Sequence, residues 1–215
     1  MAKGKPIKVP SAEDSKRQSI LNAAIFEFCS GYEKASTDAI VKSAGVSKGL
    51  LFHYFGTKKK LYLYAYEYAI QIVMAEFYDL INYNEGDILQ RLKQIALLKM
   101  DLMQKYPMIF NFIAHASFPD SKDLKSNIME LRDKITNDVY PKLFCDIDRT
   151  LFREDIDVDT AISTIFFTIE GYAQGKANPN KTTADYYSEY AGYLCDLERY
   201  LQLFRMSFYK WGEFQ

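Results

Sequence analysis

The segment VSKGLLFHYFG at 46–56, followed by Thr57 and then Lys58, Lys59 and Lys60, sets ammonium, imidazole, hydroxyl and aromatic groups around a bare Gly49. That combination suits a polyanion. Lysines meet phosphates, and a glycine lets the backbone approach closely while its neighbours reach base edges and sugar rings. Catalysis would need a different constellation. His53 and His115 lie in different parts of the chain, and there is no HExxH, GxSxG or glycine-rich phosphate loop. Cys29, Cys145 and Cys195 are odd in number and far apart, which fits neither a disulfide framework nor a cysteine-rich metal site. The sequence therefore predicts no enzyme, no metal and no cofactor.

Charge supports the polyanion reading. Residues 1–60 hold eleven Lys/Arg against five Asp/Glu, whereas the remaining 155 hold sixteen against twenty-three. Such a split points to a first part that meets an anionic partner and a second part that does not. With 48% apolar and 26% charged residues, the chain is neither disordered nor low-complexity. No apolar run approaches the ~18–20 residues of a membrane span, and MAKGKPIKVP lacks the apolar stretch of a signal peptide. A soluble, cytoplasmic protein is expected, with residues 1–11 a flexible basic tail; Lys3, Lys5 and Lys8 could also serve as an arm.

The elements that must position these side chains are helical. Ile20, Ala24 and Phe28 recur at i, i+4, i+8, and Gly31 is placed to end that helix. A short helix is expected over 37–44 with Thr37 as its N-cap, a third from Ser47 to about Tyr54, and a long fourth capped by Thr57. Further helices are expected over 87–105, from Pro107, and up to about Asp148 with a kink or break at Pro141. The last two run over about 157–174 and 184–210. No alternating strand pattern exceeds three or four residues. The fold class is all-α, about nine helices: a three-helix DNA-binding unit over 12–60 and a helical bundle over 61–215.

The helix, Gly-containing turn and short helix over 37–55 have the helix-turn-helix pattern. At 100° per residue Leu51 and Phe55 share one face, while Gly49, Leu50 and His53 point away, with Lys48 and Phe52 on one flank and Tyr54 near the other rim. Gly49 costs about 1 kcal/mol in a helix interior, so something should compensate for it. Lys58, Lys59 and Lys60 sit at a helix start, where the macrodipole disfavours cations unless phosphates dock there.

FxxGY at 28–32, Thr37, Ile40 and AGVSKGLLFHYFGTKKKL at 44–61 closely resemble the tetracycline-repressor (TetR) family of bacterial regulators. The resemblance is dense over about residues 16–62. It implies DNA contacts at Thr37, Ser47, Lys48, Gly49, Leu50, Phe52, His53, Tyr54 and Lys58, with Thr37 and Lys58 holding phosphates and Ser47 to Leu50 entering the groove. Leu50 stands where the family usually has a small or hydroxylated residue. Phe52 stands where it usually has Tyr.

For the second part the resemblance implies a small-molecule effector and a homodimer. The sequence points to a dimer independently, because Tyr186, Tyr190, Tyr193, Leu197, Tyr200 or Leu201, Phe204 and Phe208 form a wide apolar stripe beside ISTIFFTIEGYA. Polar groups stranded in apolar helices mark a pocket. His115 and Glu170 are such groups, with Met100, Met103, Phe110, Phe112 and Phe166 as candidate walls; Glu170 is expected to face the bundle interior or the dimer seam. The expected function is a sequence-specific transcriptional regulator, a repressor released from a double-stranded operator by a small molecule. The alternative is a DNA-binding helical protein governed by a protein partner.

Overall fold

A computed structural model describes residues 12–119, 121–176 and 183–210. Among these, ten α-helices follow one another: α1 (Ala12–Phe28), α2 (Thr37–Ala44), α3 (Lys48–Phe55), α4 (Lys58–Leu80), α5 (Ile88–Lys105), α6 (Pro107–Ala116), α7 (Lys122–Leu143), α8 (Val158–Lys176), α9 (Thr183–Ser188) and α10 (Tyr190–Phe208), with a 3-10 turn at Arg149–Leu151. The basic tail and part of the loop QGKANPNKTT lie outside the described residues. Among the described residues no helix is long and apolar enough to cross a membrane.

The local signals that begin and end the first helices are side-chain caps. Ser47 accepts a hydrogen bond from the Leu50 amide at 3.2 Å, and Thr57 accepts one from the Lys60 amide at 3.1 Å, each satisfying an amide with no partner inside the helix. For α2 the cap is Ser36 rather than Thr37: the Ser36 hydroxyl accepts from the Ala39 amide, and Thr37 is the first helical residue. Gly45 closes α2 in the left-handed conformation at φ 66°, with the Val46 amide donating to the Val41 carbonyl at 3.1 Å.

Two later elements differ from the periodicity. The helix α7 runs through Pro141 and stops two residues beyond it, at Leu143, so the proline, which has no amide N–H to donate, stands near the end of the helix rather than at a break within it. The expected final helix is two, because Glu189, at ψ −3°, opens one turn between α9 and α10.

Three apolar cores hold the helices. The first joins Ile20, Phe28, Ile40, Leu51, Phe55 and Tyr62 of α1–α4 to Phe112 and Ala116 of α6 and Leu124 and Ile128 of α7. The second packs Ile88 and Leu89 against Phe152, Ile165, Leu197 and Phe204. The third gathers Val73, Phe77, Leu102 and Leu143 beneath α4. The stripe of Leu197, Leu201 and Phe204 therefore faces the chain's own interior, not a second subunit. Which way a stripe faces depends on what the neighbouring helices leave uncovered, and α5 and α8 cover this one.

Buried polar groups tie the ends together. Asp87 caps α5 by accepting from the Leu89 amide, and it also accepts from Arg205 at 2.8 Å and from the Tyr209 hydroxyl at 2.7 Å. Burial and the bond to Asp87 push the Tyr209 phenol well above its ordinary range. Arg91, almost wholly buried, donates to the carbonyls of Tyr83, Glu85, Leu143 and Cys145, so four backbone oxygens solvate its charge.

Candidate nucleic-acid interface and bundle cavity

The short helix α3 rests on Leu51 and Phe55, both fully buried, and turns Ser47, Lys48, Gly49 and His53 outward. Leu50, Phe52 and Tyr54 are half-buried, with Phe52 and Tyr54 packed against the first core. The His53 and Tyr54 rings lie 5.7 Å apart at the rim. A Cβ built at Gly49 would meet only the Ser47 hydroxyl, at 3.9 Å. The protein itself therefore does not require glycine here, and the space it leaves opens outward.

Two lysines flank that opening in different ways. Lys48 donates to Asp38 of α2 at 2.8 Å, an exposed pair. Lys58, the first residue of α4, lies over the Tyr32 ring at 4.7 Å and donates to the Glu33 carbonyl at 3.4 Å, so its ammonium is held against the loop that precedes α2. Thr37 is half-buried at the start of α2. All nine residues implied as DNA contacts thus belong to one compact region, α2–α3 and the first turn of α4.

The bundle holds a cavity of about 500 Å³, within the range of small-molecule sites. From α5 come Ala96, Lys99, Met100 and Met103, spaced i, i+3, i+4, i+7 on one face. Opposite them stand Tyr172 and Lys176 of α8 and Tyr186, Tyr190 and Tyr193 of α9 and α10. Tyr172 stacks on Tyr193 at 5.6 Å and donates to Asp196 at 2.6 Å. Lys176 lies over the Tyr172 ring at 5.3 Å and pairs with Asp196 at 3.8 Å. The Tyr190 hydroxyl is buried without a hydrogen-bond partner.

Of the residues expected to line a pocket, Met100 and Met103 do so. Glu170 is half-buried and does not itself line the cavity, although its charge acts on Lys99 and Tyr193, which do. Phe112 is fully buried in the first core between Phe28 and Tyr62, at 6.2 and 5.4 Å between ring centres. Phe110 packs in the third core, Phe166 lies edge-on to Phe144 at 5.4 Å, and half-buried His115 is in the last turn of α6; none of the three lines the cavity. Sequence reasoning missed Lys99, Lys176 and the four tyrosines. A lone lysine in the apolar stripe of α5 was the available signal.

Among the described residues no group of His, Cys, Asp or Glu could hold a metal ion. A short helix that carries Lys, Gly and His outward and is braced by α1, α2 and α4 defines a helix-turn-helix DNA-binding protein. Residues 20–65 match the model for bacterial regulatory proteins of the tetR family, so this part of the chain has that family's DNA-binding unit. Solved structures of similar fold include the fatty acid degradation regulator FadR from Bacillus halodurans, at 18% identity and a TM-score of 0.60 over 88% of this chain and 97% of that one. FadR from Bacillus subtilis, solved in complex with stearoyl-CoA, is similar at 19% identity and a TM-score of 0.57 over 87% and 97%. Among curated proteins, the nucleoid occlusion factor SlmA of Vibrio campbellii is 23% identical over 128 residues, 58% of this chain and 65% of that one.

Proposed function

We propose that the chain is a homodimeric repressor that leaves its operator when a small molecule fills the bundle cavity, with residues 12–60 reading DNA and 61–215 sensing and dimerising. The observation that carries this reading is the position of α6. It packs on α1 and α4 through Phe112, and it also contacts α9, which lines the cavity through Tyr186 and Ser188. A ligand that favours one placement of α9 would shift α6 and with it the base of the DNA-binding unit. Successive major grooves lie about 34–36 Å apart, so a small pivot suffices to lose one half-site. The stearoyl-CoA bound to FadR of Bacillus subtilis supports a ligand-responsive bundle. Phe167 of α8 and Leu203 and Met206 of α10, 70%, 56% and 63% exposed, offer the apolar surface for the second subunit.

Binding of the full chain to a randomised operator library tests the DNA half. Lys58→Ala should weaken every sequence alike and lower the salt slope by about one, as loss of a phosphate contact does. Lys48→Ala should instead change the preferred sequences. Equal losses across the library in both variants would overturn the division of roles, and sedimentation as a monomer at micromolar concentration would overturn the dimer.

A further inference from the structure

We infer that the bundle cavity is built for a small organic anion, a carboxylate on an apolar and partly aromatic body, with Lys99 and Tyr190 recognising the carboxylate. The inference rests on the cavity being the effector site. It begins from which polar groups the protein has already used. Asp196 is engaged by the Tyr172 hydroxyl, by Lys176 and by Arg199 at 3.4 Å. Lys176 is taken up by Asp196 and the Tyr172 face. Lys99 and the Tyr190 hydroxyl stand on the same lining.

The first is Lys99, exposed and on the cavity lining with Met100 and Met103 of the same helix. Glu170 is a charged neighbour that acts on the Lys99 ammonium from within the chain. The second is the Tyr190 hydroxyl, buried and without a partner, which would donate to an oxygen in the cavity. A carboxylate satisfies both, because it accepts from an ammonium and from a phenol at once. A cation would meet Lys99 and Lys176 at the same wall, where Asp196 is already committed and Glu189, the other carboxylate on the lining, also has an interaction within the chain. The remaining wall, Ala96 and the stacked Tyr172 and Tyr193, accepts a flat or flexible apolar body.

Calorimetric titration of the full chain decides the point, with phenyl, naphthyl and decyl probes each carrying a carboxylate, an alcohol or an amine. The carboxylates should bind about tenfold tighter than the matched alcohols, and amines weakest. Lys99→Met should abolish the carboxylate preference while leaving the alcohols unchanged. Glu170→Gln should strengthen carboxylate binding, because it removes the internal rival for Lys99; a merely structural Glu170 would weaken all three classes together. Preference for the amines, or a carboxylate preference that survives Lys99→Met, overturns the charge assignment. Failure of every probe to bind overturns the effector-site reading itself.

Discussion

Around α1–α4 the aromatic rings interlock, with Phe28 edge-on to Tyr62 at 4.8 Å and Phe112 closing the group from α6. At the other end Tyr172, Tyr186, Tyr190 and Tyr193 stand around a void of about 500 Å³. Protein interiors are close-packed, and an unfilled space forfeits contacts on its lining. The DNA-binding end is therefore a rigid platform, whereas the cavity end holds back part of its packing for something that is not protein. Emptying a packed ring at the first end and removing an unsatisfied hydroxyl at the second should change stability with opposite signs.

The largest effect is expected at the platform. Phe112→Ala empties a fully buried site between Phe28 and Tyr62 and should cost about 3–5 kcal/mol of unfolding free energy in a urea titration. A loss below about 1 kcal/mol would mean that the platform repacks freely, and the contrast with the cavity would fail.

At the cavity, Tyr190→Phe should stabilise the protein by about 1 kcal/mol, since it removes a buried hydroxyl that bonds to nothing. A destabilised variant would show that the hydroxyl is satisfied in solution without ligand.

Two glycines sharpen the comparison within the platform. Gly45, at φ 66°, has nothing within 4 Å of an added Cβ, so Gly45→Ala costs only backbone strain, about 1 kcal/mol in thermal unfolding. Gly49→Ala should instead raise stability, by up to about 1 kcal/mol, while weakening operator binding. Operator affinity unchanged in Gly49→Ala would remove the argument that DNA approaches this backbone.

The smallest effect belongs to the surface. Asp38→Asn releases Lys48 from an exposed ion pair, and such pairs are worth at most about 1 kcal/mol, so operator affinity should rise about two- to fivefold at low salt. The gain should vanish at high salt, where exposed charges are screened. Weaker binding at low salt would assign Asp38 itself to the DNA surface.

Sequence alone determined the all-α class, most helix starts, and the outward placing of Gly49 and His53 with Lys48 beside them; Leu50, expected to point away with them, is half-buried. Sequence signals act over three or four residues. Ser47 reaches the Leu50 amide, Thr57 the Lys60 amide, and Leu51 and Phe55 share a face by helical geometry. The adjacent Ser36, equally able to cap, displaced Thr37 by one residue because both hydroxyls suit the same role. Tertiary structure decided what each apolar stripe meets. Leu197, Leu201 and Phe204 turned inward because Ile88, Leu89 and Ile165 cover them, and Phe112 went to the platform rather than the cavity. The cavity's own wall draws on α5, α8, α9 and α10, and the Asp87–Arg205 pair spans 118 residues of chain. Contacts that close loops of that length leave no periodicity behind, so a lysine on α5 and four tyrosines far downstream became one site only when the helices packed.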